Sequence, residues 1–390
     1  MKMSFTTLIS SIGILAFTVG LAGCDTIPVY DPSKIPWQQQ PQGVPAGTIP
    51  ESNPTNPSVS TGGSRGSNSG GSTGTTTGRY QPNPSEGDYI RYPAMRRFIT
   101  EMNRKHKFSL DFLHKTFRSV RRSDEVLGKV RAPAEGKAWR AYRPIFLTED
   151  RIRGGVAFWN RHRSILAAAT QKYGVPAEYI VAIIGVETAY GRNVGKFNVL
   201  QSLTTLAFDF PKRSDFYRSE LEQYLLLTRS EKINPYSLKG SYAGAMGMSQ
   251  FISSSYRHYA VDFDRDGKTD LWRPADAIGS VANYFSKHGW KRGGDVAVPT
   301  IISGSSFDKM ADVTAKKPRY SLDQLSRAGV RPAGTWRFWS DKVSLIKLVG
   351  TRDTEYWIGG KNFYVITRYN HSPKYAMAVH QLAQEIRKRH

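Results

Sequence analysis

The chain has 390 residues, 39% of them hydrophobic, which suffices for a sizeable core in two or three subdomains. Its formal net charge is +23, and residues 1–86 are neutral: Lys2, Lys34, Arg65 and Arg79 balance Asp25, Asp31, Glu51 and Glu86. The surplus therefore lies in residues 87–390 and calls for a polyanionic partner, whether nucleic acid, anionic lipid or an acidic cell-wall polymer; a single cysteine, Cys24, excludes an intramolecular disulfide.

The first element is an apolar stretch from Leu8 to Leu21, behind Lys2 and ending Leu21-Ala22-Gly23-Cys24. It is too short for a comfortable membrane span and has the build of an export signal, residues 1–23. The stretch resembles bacterial lipoprotein signals, which implies that Cys24 becomes the lipidated first residue after cleavage. An acyl chain then holds the protein to a membrane by about 0.8 kcal/mol per buried CH₂. The implied location is the periplasm, on the outer membrane, with the inner membrane open because Asp25 follows the cysteine. Export argues against a nucleic-acid partner. Residues 24–86 are rich in Pro, Gln, Gly, Ser and Thr and read as a disordered tether that supplies reach.

From residue 88 amphipathic helical segments follow. The spacing predicts helices over Pro93–Phe117 and over Ile152–Tyr173, the second with Val156, Trp159, Ile165 and Ala168 along one face. Pro176 opens the next helix. There Ile180, Ile183, Ile184 and Glu187 share a face, and Gly191 marks the stop. Phe216–Thr228 and Ala275–His288 read as helices. VAVPTII, KVSLIKLV and NFYVIT read as strands of a β insertion over about 296–366, and Pro373–Lys388 as a closing helix.

Glu187 is the unusual residue. A carboxylate at a helix C-terminus opposes the helix dipole, and three isoleucines share its face. Both effects favour the protonated acid. A carboxylic acid that is neutral near neutral pH is what a general acid needs to cleave a glycosidic bond. The alternative at this point is a structural glutamate paired with Arg192.

Further segments in order along the chain carry a resemblance. They are ETAYGR at 187–192, LTTLAFDFPKRSDFY at 203–217, GSYAGAMGMSQF at 240–251, DLWRPADAIGS at 270–280, ANYF at 282–285 and TRYNHS at 367–372. Together they resemble the lytic murein transglycosylase B family, from about residue 88 to the C-terminus. The resemblance implies a mainly α (α+β) fold: a lysozyme-like helical core over about 150–295, a flanking helical subdomain and a small antiparallel β subdomain. It implies non-hydrolytic cleavage of the β-1,4 bond between N-acetylmuramic acid and N-acetylglucosamine, leaving 1,6-anhydro ends, with Glu187 as acid and then base. Most glycosidases use two carboxylates, and spacing alone leaves Asp209, Glu220 and Glu222 open as a second. A muramidase, with water as acceptor, and a non-catalytic wall-binding lipoprotein are the rival readings. No catalytic cofactor is implied. Protein partners in cell-wall synthesis or division stay open.

The family pattern points to a groove built by Ser241, Gln250, Phe251, Tyr284, Tyr369 and Asn370, with Tyr142 as a further aromatic. An amide suits a sugar acetamido group and an aromatic face suits a pyranose. Lys212 and Arg213 suit the carboxylates of a peptide stem. Finally, Asp262, Asp264, Asp266, Gly267 and the carbonyl of Lys268 match the start of an EF-hand-like loop. Arg273 stands where the loop expects its glutamate, and in the family's lengthened loop Asp276 matches the last carboxylate. A structural Ca²⁺ is the expected occupant.

Overall fold

The computed structural model describes residues 87–130, 137–338, 340, 342–350 and 353–390. The export signal, Cys24, Asp25 and the tether lie outside the described residues. In chain order the helices are α1 (Pro93–His106), α2 (Leu110–Arg118), α3 (Asp124–Val130), α4 (Trp139–Tyr142), α5 (Glu149–Arg161), α6 (Arg163–Tyr173), α7 (Ala177–Thr188), α8 (Val199–Asp209), α9 (Ser214–Ser230), α10 (Ser253–Tyr259), α11 (Pro274–Lys287), α12 (Leu322–Arg327), α13 (Lys361–Tyr369) and α14 (Pro373–Arg389). The strands are β1 (Phe197–Asn198), β2 (Lys239–Gly240), β3 (Ala297–Ile302), β4 (Ala311–Asp312), β5 (Val330–Pro332), β6 (Ser344–Val349) and β7 (Thr354–Gly359). Among the described residues no helix is long and apolar enough to cross a membrane.

α7 is the hub. It is apolar on most of its circumference, as a largely enclosed helix must be, with Glu178 paired to Arg387 (2.7 Å), and packs against α5, α6, α11 and α14. A second layer sets α8 against α9, and α9 against α10. Local chemistry starts several of these elements. Ser109, Thr148, Asn198 and Ser372 each accept a hydrogen bond from the backbone N–H three residues on, and Ser321 and Gln324 close a capping box at α12.

Two long helices read from the sequence are each broken. Lys107 adopts a left-handed conformation (φ 58°) and separates α1 from α2. His162 leaves helical geometry (φ −114°, ψ 27°) and separates α5 from α6. The break shifts the buried face to Ile152, Phe158, Leu166 and Ala169, so Ala168 is exposed.

The five-stranded sheet has the order β4-β6-β7-β3-β5, antiparallel except for the β4–β6 pair. Phe307, Leu325, Val330, Val343, Leu345 and Ile358 form its core. NFYVIT is not a strand: it lies in α13. Its β-branched residues favour a strand locally, but tertiary contacts decide. The Asn362 side chain ties the start of the helix to the backbone of Lys291 and Gly294, at 2.7–2.8 Å, while Phe363 and Ile366 bury one turn apart. The missing strand is β7, whose mixed TEYWIG sequence conceals it.

Candidate active site

Glu187 is the one residue of α7 that is not buried. A helix closed on every side thus opens to the surface at a carboxylate. The helix ends at Thr188, earlier than Gly191 suggests, and three successive residues are left-handed: Ala189 (φ 49°), Tyr190 (φ 65°) and Gly191 (φ 85°). For non-glycine residues this conformation costs energy and is held only by its surroundings. The holding groups are visible. The Thr188 hydroxyl donates to the Met248 carbonyl (2.9 Å) and accepts from the Gly191 N–H (3.0 Å). Arg192, the alternative partner for Glu187, donates to the Ala189 carbonyl.

Across the opening, Tyr375 donates its hydroxyl to Oε1 of Glu187 at 2.5 Å. Burial, and then the charge of Glu187, hold this phenol far above its ordinary pKa, so it remains a donor. Tyr375 was not among the residues the sequence singled out. The available signal was Ser372-Pro373, a helix start that places Tyr375 in the first turn of α14 directly after the TRYNHS segment.

The aromatics expected to line a groove come together beside this point. Ring centroids lie at 5.7 Å for Phe251–Tyr284, 5.8 Å for Phe251–Tyr369 and 4.9 Å for Tyr284–Tyr369. Tyr284 donates to the Arg368 carbonyl and Tyr369 to the Ser249 carbonyl, both at 2.5 Å. Tyr369 feels the charge of Glu187, which helps hold its pKa up after burial itself. Phe251 and Tyr284 are only 2% and 6% exposed. They brace the wall, their rings tilted at 48° to one another. Tyr142 is buried beside Tyr375, packed on Phe146 at 5.1 Å and on Trp139 at 6.4 Å.

The remaining residues expected in the groove are tied to the loops. Gln250 is left-handed (φ 48°), and its amide nitrogen donates to the carbonyls of Val194 (3.1 Å) and Gly247 (2.9 Å). The Val194 bond links it to the segment that leaves α7. The Ser241 hydroxyl accepts from Ala245 N–H at 3.0 Å, and Asn370 ends α13, half-buried. β1 pairs with β2, Phe197 opposite Gly240, and so holds these two loops together. Gly195 (φ 95°) allows the approach: a Cβ there would sit 2.1 Å from the Gly240 carbonyl carbon.

Lys212 and Arg213 are exposed, and the Arg213 guanidinium lies over Phe216, 4.2 Å from the ring centroid. The three carboxylates left open by spacing each serve elsewhere. Asp209 accepts from Tyr89 (2.5 Å), Glu220 from the Ser254 N–H (2.9 Å), and Glu222 contacts His106 (2.8 Å).

In the acidic loop, oxygens of Asp262, Asp264 and Asp276 lie within 4.8 Å of one another. Asp276 is fully buried, and its two oxygens accept from Phe263 N–H and Asp270 N–H, both at 2.7 Å. Burial raises its pKa, and the charges of Asp264 and Asp262 add to that rise. Asp266 turns away: Arg273 pairs with it and, at 3.2 Å, with Asp264. The convergent set is thus Asp262, Asp264 and Asp276, hard oxygen donors that fit a divalent cation of the calcium type. Asp276 sits in the first turn of α11, the helix that also carries Tyr284.

Residues 91–384 match the family model described as the transglycosylase SLT domain. The chain is 45% identical over 314 residues to membrane-bound lytic murein transglycosylase B of Escherichia coli (strain K12), covering 77% of this chain and 84% of that protein. It resembles the X-ray structure of the catenated lytic transglycosylase SltB1 from Pseudomonas aeruginosa, with a TM-score of 0.73, 48% identity and coverage of 77% and 99% of the two chains. A structure of the Escherichia coli lytic transglycosylase Slt35 in complex with calcium matches with a TM-score of 0.71, 45% identity and coverage of 78% and 96%.

Proposed function

From the premise that this chain belongs to the transglycosylase SLT family, as a peptidoglycan-cleaving lytic transglycosylase of the murein transglycosylase B type with a lysozyme-like fold, we propose that Glu187 carries both proton transfers. It gives its proton to the glycosidic O4 as the C1–O4 bond breaks. It then takes the proton from the muramic acid 6-hydroxyl as the C1–O6 bond forms. The product is a 1,6-anhydro end, and no water is consumed. Tyr375 fixes Oε1 of Glu187 throughout. The observation that carries this reading is that the one residue of α7 that is not buried is a carboxylate, and that a buried phenol holds it. Removing Glu187's proton while keeping its shape tests it. Glu187→Gln should leave purified sacculi intact, and mass spectrometry of wild-type digests should find anhydro ends. Turnover by the variant sinks the assignment, and reducing ends make the enzyme a muramidase.

The surroundings support binding roles. Ser241, Gln250, Tyr369 and Asn370 line the approach to Glu187, with Phe251, Tyr284 and Tyr142 as the packing behind it. Lys212 and Arg213 offer cations to the carboxylates of a peptide stem. Asp262, Asp264 and Asp276 hold a Ca²⁺ ion that neutralises their mutual repulsion and fixes the first turn of α11. The ion supplies structure, not chemistry at the glycosidic bond.

Cys24 serves as the lipidated residue that keeps the enzyme at a membrane on the periplasmic side. The membrane-bound relative and the sequence Leu21-Ala22-Gly23-Cys24 support this. Cys24→Ser should release the enzyme from the membrane fraction. Fractionation of the wild type decides between the outer membrane and the retention that Asp25 suggests.

A further inference from the structure

We propose that Arg151 and Tyr190 form a reciprocal clasp between α5 and the end of α7 that positions Glu187; the proposal rests on the reading of Glu187 as the proton carrier. The last carbonyls of a helix lack intrahelical partners, and α7 ends beside the residue whose placement matters most. Ile184's carbonyl accepts from Tyr190 N–H (3.2 Å), and Thr188's from Asn193 N–H (2.9 Å). Gly185 and Val186 lie directly before Glu187; the Gly185 carbonyl accepts from Ala189 N–H (3.0 Å), the last intrahelical bond before the turn. Arg151 reaches them from α5: its Nη1 donates to the Gly185 carbonyl and lies 3.4 Å from the Val186 carbonyl. Among the described residues the partners of this half-buried cation are carbonyls and the Phe146 ring, at 5.7 Å, not a carboxylate. A cation on the negative end of a helix is favoured electrostatically.

The return half of the clasp comes from the segment after Glu187. Tyr190 donates its hydroxyl to the backbone carbonyl of Arg151 at 2.7 Å. Its ring fills a slot that three glycines leave open. A Cβ on Gly154 would lie 2.9 Å from the Tyr190 ring, one on Gly155 2.7 Å from the hydroxyl, and one on Gly185 2.6 Å from it. Two glycines inside α5 and one inside α7 are unfavourable for a helix. The slot gives them a purpose. Tyr190 sits at φ 65°, a left-handed conformation that a tyrosine holds only when its side chain is fastened. The turn that carries Glu187 is therefore fixed on both sides, at Gly185 and Val186 by Arg151's side chain and at Tyr190 by Arg151's backbone. Tyr375 from α14 and Tyr369 from α13 face Glu187 itself, whereas Arg151 holds the backbone before it, so Arg151 acts on its position and does not touch substrate.

The test compares Arg151→Met, Arg151→Lys, Tyr190→Phe and Gly185→Ala with the wild type and with Glu187→Gln. Turnover of a defined peptidoglycan oligosaccharide is expressed per folded site, counted by titration with the anhydro-disaccharide product. Arg151→Met and Gly185→Ala should each lower kcat roughly ten- to hundredfold, the scale of a small misplacement of a reacting group, with KM within about twofold. Arg151→Lys should recover part of the loss, and Tyr190→Phe should fall between. The clasp is overturned if Arg151→Met keeps its turnover per folded site, or if all losses follow the folded fraction. Activity in Glu187→Gln would instead overturn the reading of Glu187, so the two failures are separable.

Discussion

Tyr375 and Glu187 stand 188 positions apart in the chain and are joined by one hydrogen bond of 2.5 Å between the phenol and Oε1. The bond connects the closing helix to the hub helix at the one residue of the hub that is not buried. Removing only that hydroxyl tests what the bond does. Tyr375→Phe should lower kcat by about tenfold to a hundredfold while KM changes little, because the carboxylate loses its fixed orientation. Release of anhydro-muropeptides from sacculi measures this. Unchanged kcat would show that Glu187 needs no such partner.

Calcium should stabilise the fold. The three converging carboxylates repel one another, and Asp276 is fully enclosed. Chelation should lower Tm, and Ca²⁺ at a hundredfold excess over Kd should restore about 2.7 kcal/mol, several degrees for a protein of this size. Asp276→Asn should abolish the difference, whereas Asp266→Asn should retain it, since Asp266 lies outside the converging set. A Tm indifferent to calcium in the wild type refutes the site.

Acid should destabilise the protein through its enclosed histidines. Burial pushes His288 and His380 down to about 4; for His288 the positive charges of Arg368 and Lys361 add to this. The unfolded chain takes up these protons near the ordinary histidine value of about 6.5, before the folded state does. Their penalty is therefore absent above that pH, grows as pH falls, and levels off near 4. Urea midpoints should drop between pH 7 and pH 4.5. His288→Gln, which keeps a polar side chain behind Tyr284, should flatten the slope. A wild-type midpoint that stays constant over that range would contradict the assignment.

The exposed pair Lys212 and Arg213 should matter only for substrates with peptide stems. Changing both to Gln should raise KM on peptide-bearing glycan several-fold more than on amidase-stripped glycan, in line with the loss of charge-assisted hydrogen bonds. Equal effects on the two substrates would assign the pair to the fold, with Arg213 stacked on Phe216.

The sequence carried the helical class and the position of Glu187 plainly, because both rest on local periodicity and on several short segments in order. It carried less wherever a distant contact decides. Lys107 and His162 break long amphipathic patterns with one backbone conformation each. NFYVIT has strand-forming residues and becomes a helix because Asn362 is tied to Lys291 and Gly294. The site shows the same division. Glu187 was legible as a carboxylate on an apolar face, whereas Tyr375 and Arg151 approach from other helices and leave no pattern near it. The acidic loop was legible from its aspartates, but the counter-ion role of Arg273, which turns Asp266 aside, is a tertiary fact.

The β subdomain leaves and rejoins the helical body through one doorway, since Ala297 on β3 is paired directly with Gly359 on β7. The helices on either side of it, α11 and α13, supply Tyr284 and Tyr369 to the same wall. A graft at that doorway need not spread the two helices apart. The sheet is moored a second time, where Glu355 on β7 accepts from Trp139 Nε1 of α4 (3.0 Å), so shortening β7 would loosen the packing that backs Tyr142.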